Sequence, residues 1–351
     1  MSWEQTLDEY GEVIEERLEA FLAEAVKEAE VYHPFIGKVY GDIKEFVLRK
    51  GKRLASCSTL LTYKGYVGNV DENILKACVG VELYRHAILI HDDLVDMDDT
   101  RRGASTLHKK FTNSYSPYDG RFGDGAAVFA ANIAYALGVR ALMESGFSEE
   151  NVGRVLLLTS EGYRAVNESQ ILDLLFEQKD VSVEEWTVMA SKRAASLFKV
   201  TLLTGAILGD APEADLSLLG EAAENMGYSF DIQDDIIDSF AKKEEYGRST
   251  CLDISKNKKP LHIIYALTSK DQKKAEALKC ILGKQFLSYG EKDLARQILK
   301  ESGGLDNAKQ ASKRYAKQAK QAITKTSLAE DAKDFFNSFI TYIEQSLDWY
   351  K

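Results

Sequence analysis

The chain has 351 residues, of which 45% are hydrophobic, and it carries a formal net charge of −10 with only 4 prolines. The hydrophobic content is ample for a sizeable core. The acidic balance argues against nucleic acid as a partner, because phosphate backbones bind to basic faces. Long helical patterns dominate and strand-like alternation is hard to find. We therefore expect one all-α domain over residues 1–351.

Cysteine spacing and the chain start bear on the compartment. Cys57, Cys78, Cys251 and Cys280 lack the spacing of a zinc site, and we interpret them as reduced thiols rather than a disulfide framework. The first residues lack the basic and apolar regions of a signal peptide. No uninterrupted apolar run reaches the length of a transmembrane helix. These features predict a cytoplasmic protein without a membrane span.

Residues 4–30 form an acidic amphipathic pattern, and His33-Pro34 ends it, because the residue before proline disfavours helix. A long polar connection, residues 98–124, has the character of a functional lid or binding loop. Helices are predicted over residues 35–49, 54–67, 72–97, 124–145, 148–178, 183–208 and 213–241, and from about 260 to the end with a break at Gly303-Gly304.

A basic turn precedes the third predicted helix and contains Lys52 and Arg53. Backbone N–H groups at a helix start, together with lysine and arginine side chains, form an anion-binding site. A solvated basic turn explains the same residues equally well.

An acidic cluster follows an apolar helix body. Asp92 and Asp96 are four residues apart and Asp93 is adjacent, so a helix places these carboxylates on one face. Such crowding is unfavourable in isolation, and a bound cation is a strong reason to keep it. Hard oxygen ligands suit Mg²⁺, which usually also binds substrate phosphates.

The same Asp-Asp-x-x-Asp spacing recurs at Asp234, Asp235 and Asp238, again beside an apolar helix body. Two such faces in one chain suggest metal ions that bridge both clusters to a diphosphate. The alternative is a solvated acidic face or helix-start charge. The apolar surroundings of both clusters favour the metal.

The ordered set of motifs resembles the trans-isoprenyl diphosphate synthase (polyprenyl synthetase) family, from about Phe35 to Tyr342. Asp92-Asp93-x-x-Asp96 followed by Arg101-Arg102-Gly103 is similar to its first aspartate-rich motif, and Asp234-Asp235-x-x-Asp238 is similar to its second. Gly51-Lys52-Arg53-Leu54 resembles the basic motif for the second substrate. Gln170 and Asp173 match a Gln-x-x-Asp pair, and Lys258 falls where the family has a lysine.

The resemblance implies an all-α helical bundle around a central cavity, an isoprenoid synthase-like fold, usually as a homodimer. It implies Mg²⁺-dependent condensation of isopentenyl diphosphate with an allylic diphosphate, with three Mg²⁺ per site. It implies metal-binding and catalytic roles for Asp92, Asp93, Asp96, Asp234, Asp235 and Asp238, catalytic roles for Arg101 and Lys258, and substrate-binding roles for Lys52, Arg53, Arg102, Gln170, Lys192, Arg193 and Arg248. Arg85 and Asp231, which depart from the family pattern, are further substrate-binding candidates, and Asp231 either extends the acidic face or pairs with a cation.

Departures from the family pattern leave both aspartate clusters intact and are interpreted as an altered acceptor half of the site. Ala55 stands where the family usually has arginine, and Arg85 stands where it usually has histidine. Arg193-Ala194 replaces a Lys-Thr pair, Asp231 replaces a glutamine, and Arg248 replaces a lysine.

Two accounts of these departures stay open, with a third beside them. Arg85 supplies the cation that Ala55 removes, so that Lys52, Arg85 and Arg102 still bind a diphosphate. Alternatively, the reaction has changed to that of a terpene cyclase-like enzyme or of a prenyltransferase with another acceptor. The third account is a regulatory subunit of a hetero-oligomeric synthase.

Product length depends on the helix before the first acidic cluster. In the family, an aromatic residue four or five positions before the first aspartate blocks growth of the tail, and here these positions hold Ile88 and Ala87. Tyr84 lies one turn further, on the Ile88 face, where it forms a floor or serves as ordinary core. We expect a product near geranylgeranyl length.

Overall fold

The computed structural model describes residues 2–115, 120–241 and 250–349. Within these ranges helices dominate, so the all-α prediction is confirmed. The elements are α1 (Trp3–Tyr32), α2 (Pro34–Leu48), α3 (Leu54–Val67), α4 (Glu72–Val95), β1 (Thr100–Arg101), β2 (Ala104–Ser105), α5 (Leu107–Ser114), α6 (Gly120–Met143), α7 (Glu149–Phe176), α8 (Val183–Ala190), α9 (Ala194–Leu208), α10 (Glu213–Phe240), α11 (Leu252–Ser255), α12 (Leu261–Leu267), α13 (Gln272–Lys279), α14 (Tyr289–Glu301), α15 (Gly304–Lys325), α16 (Glu330–Ser346) and a 3₁₀ turn (Leu347–Trp349).

Local signals set the first helix boundaries. The Ser2 hydroxyl accepts a hydrogen bond from the Gln5 N–H, and the Gln5 side chain accepts one from the Ser2 N–H, which forms a capping box. The predicted break at His33-Pro34 is confirmed. His33 caps α2 by accepting from the Phe35 N–H, and Pro34 occupies the first helical position, where its missing N–H costs nothing.

Three predicted segments differ from the structure. The stretch after residue 260 is interrupted after Leu267, Lys279 and Lys325 as well as before Gly304. The single helix over residues 183–208 is wrong, because α8 and α9 are separated by a turn in which the Lys192 N–H bonds the Met189 carbonyl and the Arg193 N–H bonds the Ala190 carbonyl. The polar connection over residues 98–124 contains the β1–β2 hairpin and α5. Short elements of this kind carry too little periodicity to be seen in sequence.

The chain divides into two compact units, each built from three stretches. The first unit comprises Met1–Tyr163, Val200–Leu216 and Ser327–Phe335, and the second comprises Arg164–Lys199, Ser217–Thr326 and Phe336–Lys351. That residues 1–351 form one domain stays a prediction.

In the first unit, α4 packs closely against α6 because small residues face each other. A Cβ atom added to Gly80 would lie 2.8 Å from the Gly138 carbonyl oxygen and 2.6 Å from Leu142 Cγ, so the two backbones approach directly. The buried alanines of α6 extend this contact, as its small-residue composition predicts. The packing fixes α4, which carries the first acidic cluster.

Helix α6 (Gly120–Met143) bears on the expectation that the chain has no membrane span. Among the described helices it is the one long and apolar enough, by length and composition, to cross a membrane. About half of that apolar window, 44%, is buried inside the protein, and a core helix passes the same test. The finding is therefore weak support for a membrane span.

In the second unit, α10 buries one apolar stripe against its neighbours. Tyr228, Ile232 and Ile236 belong to a core cluster with Trp186 of α8 and Leu305 of α15. Because this stripe repeats at the helical period, the carboxylates of the second acidic cluster occupy other positions around α10. The helix is anchored by its apolar side, and its acidic residues are thereby held in fixed orientation.

Candidate active site

The β1–β2 hairpin positions the first arginines of the site. Thr100 pairs with Ser105 and Arg101 with Ala104, which leaves a two-residue turn of Arg102 and Gly103. Both turn residues have positive φ, 52° and 79°, as hairpin turns of type I′ require. Glycine adopts this conformation without a steric penalty, and the turn holds Arg101 and Arg102 next to the end of α4.

The first acidic cluster is bound to this hairpin. Arg101 Nε donates to Asp93 Oδ1 at 2.5 Å, and Arg101 Nη2 lies 3.4 Å from Asp92 Oδ2. Burial raises the pKa of Asp93 to about 7, although the Arg101 charge opposes that shift. Asp93 Oδ2 is buried and accepts no hydrogen bond from the described residues. Asp96 caps the C-terminus of α4, so the cluster sits at the helix end.

Arg53 is engaged inside the first unit. Its side chain is 1% exposed, its φ is a left-handed 46°, and Nη1 donates to the Val47 carbonyl at 2.7 Å. Nη1 also lies 3.4 Å from Glu82 Oε2, and Nη2 lies 3.1 Å from Glu15 Oε2. Arg53 is thus a buried ion-pair partner in this structure, and its substrate-binding role stays a prediction.

Glu82 is the centre of that buried network. Its side chain is 3% exposed, and its Oε1 accepts from the Ser56 hydroxyl at 2.7 Å and from the Ser56 N–H at 3.3 Å. Burial opposes ionisation, but the Arg53 charge and the Ser56 hydrogen bonds leave the pKa of Glu82 below its usual value. Glu82 therefore balances the charge of Arg53.

His86 stands between Glu82 and Arg102. Its Nδ1 lies 2.7 Å from the Glu82 carbonyl oxygen, and Arg102 Nη1 lies 3.4 Å from its Nε2. Burial lowers the pKa of His86 to about 4. The neutral tautomer that fits both contacts donates from Nδ1 and accepts at Nε2.

Arg102 and Arg85 carry the positive charge left over in this region. Arg102 packs on Gly51, where an added Cβ would lie 2.7 Å from its Cζ. Burial lowers the pKa of Arg102 to about 10, and the neighbouring charges of Arg53, Arg101 and Arg85 add to that shift. Burial also lowers the pKa of Arg85, which is partly buried. Several guanidinium groups within mutual range form an electrostatic setting suited to an anion.

Lys52 projects from the same turn but is 56% exposed. Its Nζ lies 3.2 Å from Glu4 Oε1 and 4.6 Å from the ring centroid of Trp3, so the start of α1 holds it. Exposed contacts of this kind are weak and exchange readily with another anion.

Sequence reasoning gave no role to Glu82 and placed Arg49 only at the start of the basic turn, whereas both residues organise the basic region. Arg49 pairs with Glu45 at 2.8 Å and donates to the Arg101 carbonyl at 3.3 Å, which ties the hairpin to α2. Two features of the sequence could have indicated these roles. Glu45 and Arg49 are four residues apart, as in a helical ion pair, and Glu82 is a single glutamate inside the apolar run of α4.

The second acidic cluster lies near the C-terminal end of α10. Asp235 Oδ2 is buried and accepts no hydrogen bond from the described residues, and burial raises the pKa of this carboxyl. The Asp238 carboxylate accepts from the N–H groups of Leu252 and Asp253 at 3.3 and 3.1 Å. Asp238 therefore also anchors the chain at α11.

Cations of the second unit pair with carboxylates. Lys258 Nζ lies 2.9 Å from Asp173 Oδ2, and Arg193 contacts Asp231, Asp235 and Asp173. Lys192 pairs with Glu168 on the exposed side of α7. Gln170 lies three residues before Asp173 on α7. Arg248 lies outside the described residues.

The donor chemistry of both clusters fits magnesium. Asp93 and Asp235 each have a buried carboxylate oxygen that accepts no hydrogen bond from a described residue. Hard oxygen atoms of this kind are the ligands that Mg²⁺ prefers. No three His, Cys, Asp or Glu side chains converge on a metal position within the described ranges. Mg²⁺ is usually held by one or two carboxylates with substrate phosphates and water completing the shell.

The residues assigned to product length lie in the core of the first unit. Ala87 and Ile88 are buried. Tyr84 is 2% exposed and its hydroxyl has no hydrogen-bond partner among the described residues. The rings of Tyr135 and Tyr163 stack at 4.2 Å beside it, and a Cβ added to Gly162 would lie 2.9 Å from the Tyr84 hydroxyl.

Comparisons with known proteins show the family of this chain. A sequence profile of the polyprenyl synthetase family matches residues 38–299. The short chain isoprenyl diphosphate synthase of Methanocaldococcus jannaschii is 31% identical over 76% of this chain and 77% of its own length.

Two solved structures share the fold. The geranylgeranyl pyrophosphate synthetase of Pyrococcus horikoshii Ot3 is 26% identical, covers 98% of both chains and superposes with a TM-score of 0.83. The geranylgeranyl pyrophosphate synthase of Corynebacterium glutamicum, solved with isoprenyl diphosphate and magnesium, is 21% identical, covers 99% of this chain and 100% of its own, and has a TM-score of 0.88.

The fold, the family profile and the Asp-Asp-x-x-Asp motif on each of two helices define a trans-prenyltransferase. The chain belongs to the polyprenyl synthetase family, whose profile runs through stretches of both compact units. The family resemblance and the isoprenoid synthase-like fold predicted from the sequence are confirmed.

The buried network predicts a large stability difference between two glutamates of α4. Glu82→Gln leaves the Arg53 guanidinium without its buried counter-charge, and we expect the free energy of unfolding to fall by about 3–5 kcal/mol. Glu72→Gln on the same helix is the matched control, because Glu72 forms an exposed pair with Arg17 at 2.6 Å and such pairs contribute little. Urea denaturation measures both, and equal effects would contradict a central role for Glu82.

Proposed function

We propose that this protein condenses isopentenyl diphosphate with an allylic diphosphate to a prenyl diphosphate near geranylgeranyl length. One observation carries the proposal. Each Asp-Asp-x-x-Asp cluster contains a buried carboxylate oxygen, at Asp93 and at Asp235, that no donor among the described residues satisfies, and hard oxygen ligands of this kind suit a divalent cation. Family membership supports the same reaction.

In this proposal Asp92, Asp93, Asp96, Asp234, Asp235 and Asp238 hold three magnesium ions with the diphosphate of the allylic substrate. Bound magnesium supplies Lewis-acid stabilisation of the departing diphosphate. Arg101 and Lys258 each already pair with a carboxylate, so they are oriented to stabilise leaving-group charge. Lys192, Arg193, Asp231, Gln170 and Arg248 are proposed to complete the diphosphate region.

The bond changes need no side-chain nucleophile. The allylic C–O bond breaks to give an allylic cation and free diphosphate. The double bond of isopentenyl diphosphate attacks that cation, a new C–C bond forms, and the proton lost from the adduct passes to the released diphosphate. An apolar surrounding strengthens the electrostatic interactions that stabilise these charges.

For the second substrate we propose Lys52, Arg85 and Arg102 as the diphosphate ligands. The role of Arg85 as a ligand is supported because no hydrogen bond or ion pair engages its guanidinium within the described chain. Arg53, in contrast, already forms ion pairs with Glu15 and Glu82. Arg85 then supplies the charge that Ala55 lacks.

The test is product analysis with Mg²⁺ and farnesyl diphosphate, with and without isopentenyl diphosphate. We expect a longer prenyl diphosphate only when both substrates are present. A hydrocarbon or alcohol from the allylic diphosphate alone would instead support a terpene cyclase-like enzyme. No turnover with allylic substrates of several lengths would favour a regulatory subunit of a hetero-oligomeric synthase.

The same assay tests charge relocation through Arg85→Gln. Because a hydrogen bond to a charged group contributes about 1.5–3 kcal/mol, we expect the KM for isopentenyl diphosphate to rise roughly 10- to 100-fold, with little change for the allylic substrate. Ala55→Arg in the Arg85→Gln background should recover much of that loss. A KM that does not respond to Arg85→Gln would rule out its role as a ligand.

Product length is proposed to depend on Tyr84 as the floor below Ala87 and Ile88. Tyr84→Ala removes the ring beside the Tyr135–Tyr163 stack, and we expect longer products in chromatographic product analysis. Tyr84→Phe is the control, because it keeps the ring and removes only an unpartnered hydroxyl. An unchanged product distribution for Tyr84→Ala would assign Tyr84 to ordinary core packing.

We further propose a cytoplasmic homodimer. Helix α6 leaves Phe129 67% and Met143 63% exposed in the single chain, and exposed apolar patches of this kind are typical of protein interfaces. The four cysteines are unpaired, as expected in a reducing compartment. Sedimentation equilibrium tests the assembly, and a monomer at micromolar concentration would contradict the dimer.

A further inference from the structure

Arg193 lies in the turn between α8 and α9, where three carboxylates surround its guanidinium group. Its Nη2 and Nε lie 2.6 and 3.1 Å from Asp231 Oδ2. Nη1 lies 3.5 Å from Asp173 Oδ1, and Nη2 lies 3.6 Å from Asp235 Oδ2. Of the three carboxylates, Asp231 makes the shortest contact and therefore determines where the guanidinium lies.

Backbone packing keeps Arg193 at this place. A Cβ added to Gly227 of α10 would lie 2.4 Å from Ala195 Cα and 2.8 Å from the Ala194 carbonyl carbon. The first turn of α9 therefore rests directly on α10. Gly227, Asp231 and Asp235 are spaced four residues apart, so they share one face of α10, and Arg193 lies beside that face.

The contacts of the two aspartates differ in a way that bears on the metal. Asp231 Oδ2 receives both short contacts from Arg193, while Asp235 Oδ2 is buried and accepts no hydrogen bond from a described residue. An unsatisfied buried acceptor is costly. If the Asp231 carboxylate were absent, Asp235 would be the nearest remaining partner of Nη2.

We propose that Asp231 is a positioning residue. Its two short contacts hold Arg193 Nη2 at 3.6 Å from Asp235 Oδ2, just beyond hydrogen-bond distance, and so keep that oxygen available to magnesium. The inference rests on the proposed function, since magnesium and diphosphate belong to that proposal. Asp231 acts through Arg193 and is not itself a metal ligand. Partners of metal ligands typically change metal affinity by about 10–100-fold when they are mutated.

The first test measures Mg²⁺ binding in the presence of inorganic pyrophosphate by isothermal titration calorimetry, which does not depend on turnover. Asp231→Asn should weaken Mg²⁺ binding about tenfold or more, because Arg193 moves onto Asp235. The Mg²⁺ concentration for half-maximal synthase activity should rise in parallel, while the KM for isopentenyl diphosphate stays unchanged. Unaltered Mg²⁺ affinity in Asp231→Asn would overturn the proposal.

The decisive comparison uses the Arg193→Gln background, where no guanidinium is left to compete for Asp235. Adding Asp231→Asn to Arg193→Gln should leave Mg²⁺ affinity within about threefold, since Asp231 acts only through Arg193. A loss as large as in the wild-type background would make Asp231 a direct metal ligand. This comparison holds even if Asp231→Asn alone does not fold.

A matched control lies on the same two helices. Lys199 of α9 and Glu224 of α10 form an exposed pair at 3.6 Å, so Glu224→Gln should leave Mg²⁺ affinity and activity unchanged. A Glu224→Gln effect equal to that of Asp231→Asn would indicate a general loss of helix packing and overturn the specific role. The proposed function fails separately, if the wild-type protein binds Mg²⁺ and pyrophosphate but makes no prenyl diphosphate.

Discussion

Partly buried carboxylates that need counter-charges are the constraint on which the rest of this structure depends. Burying an ionised group costs several kcal/mol unless a partner of opposite charge accompanies it. In the first unit the partner of Asp93 is Arg101, delivered by a two-residue hairpin turn. In the second unit Asp231 and Asp235 share Arg193, delivered by the turn between α8 and α9. Irregular segments thus supply the charges that the helices require.

The same logic separates the arginines of the basic region into two groups. Arg53 balances Glu82 and Glu15 inside the protein, which leaves it little capacity for a ligand. Arg102 rests on Gly51 and donates to a backbone carbonyl and a neutral histidine, and no carboxylate in the described ranges contacts its guanidinium directly. A substrate diphosphate can supply the missing negative charge, and binding then relieves repulsion among the guanidinium groups.

Close packing links this electrostatic arrangement to the apolar part of the reaction. Gly80 and Gly138 bring α4 and α6 together, and Gly162 leaves space for the Tyr84 ring. The helix that carries the first acidic cluster at its end thus carries the proposed product-length residues one and two turns earlier. Their spacing along one rigid helix relates the position of the diphosphate to the length of tail that fits.

The sequence by itself determined the fold class, most helix boundaries and the identity of the acidic clusters, because helical periodicity and Asp-Asp-x-x-Asp spacing are local properties. The sequence did not predict the turn at residues 191–193, because the hydrophobic pattern there continues as in one helix. In the structure the helix is interrupted at this point, and Arg193 of the turn pairs with Asp231. The sequence also could not assign Arg53 to Glu82, 29 residues away, or Arg193 to Asp231, 38 residues away. Only the tertiary structure decided those pairings, because which charges meet depends on which helix faces pack together.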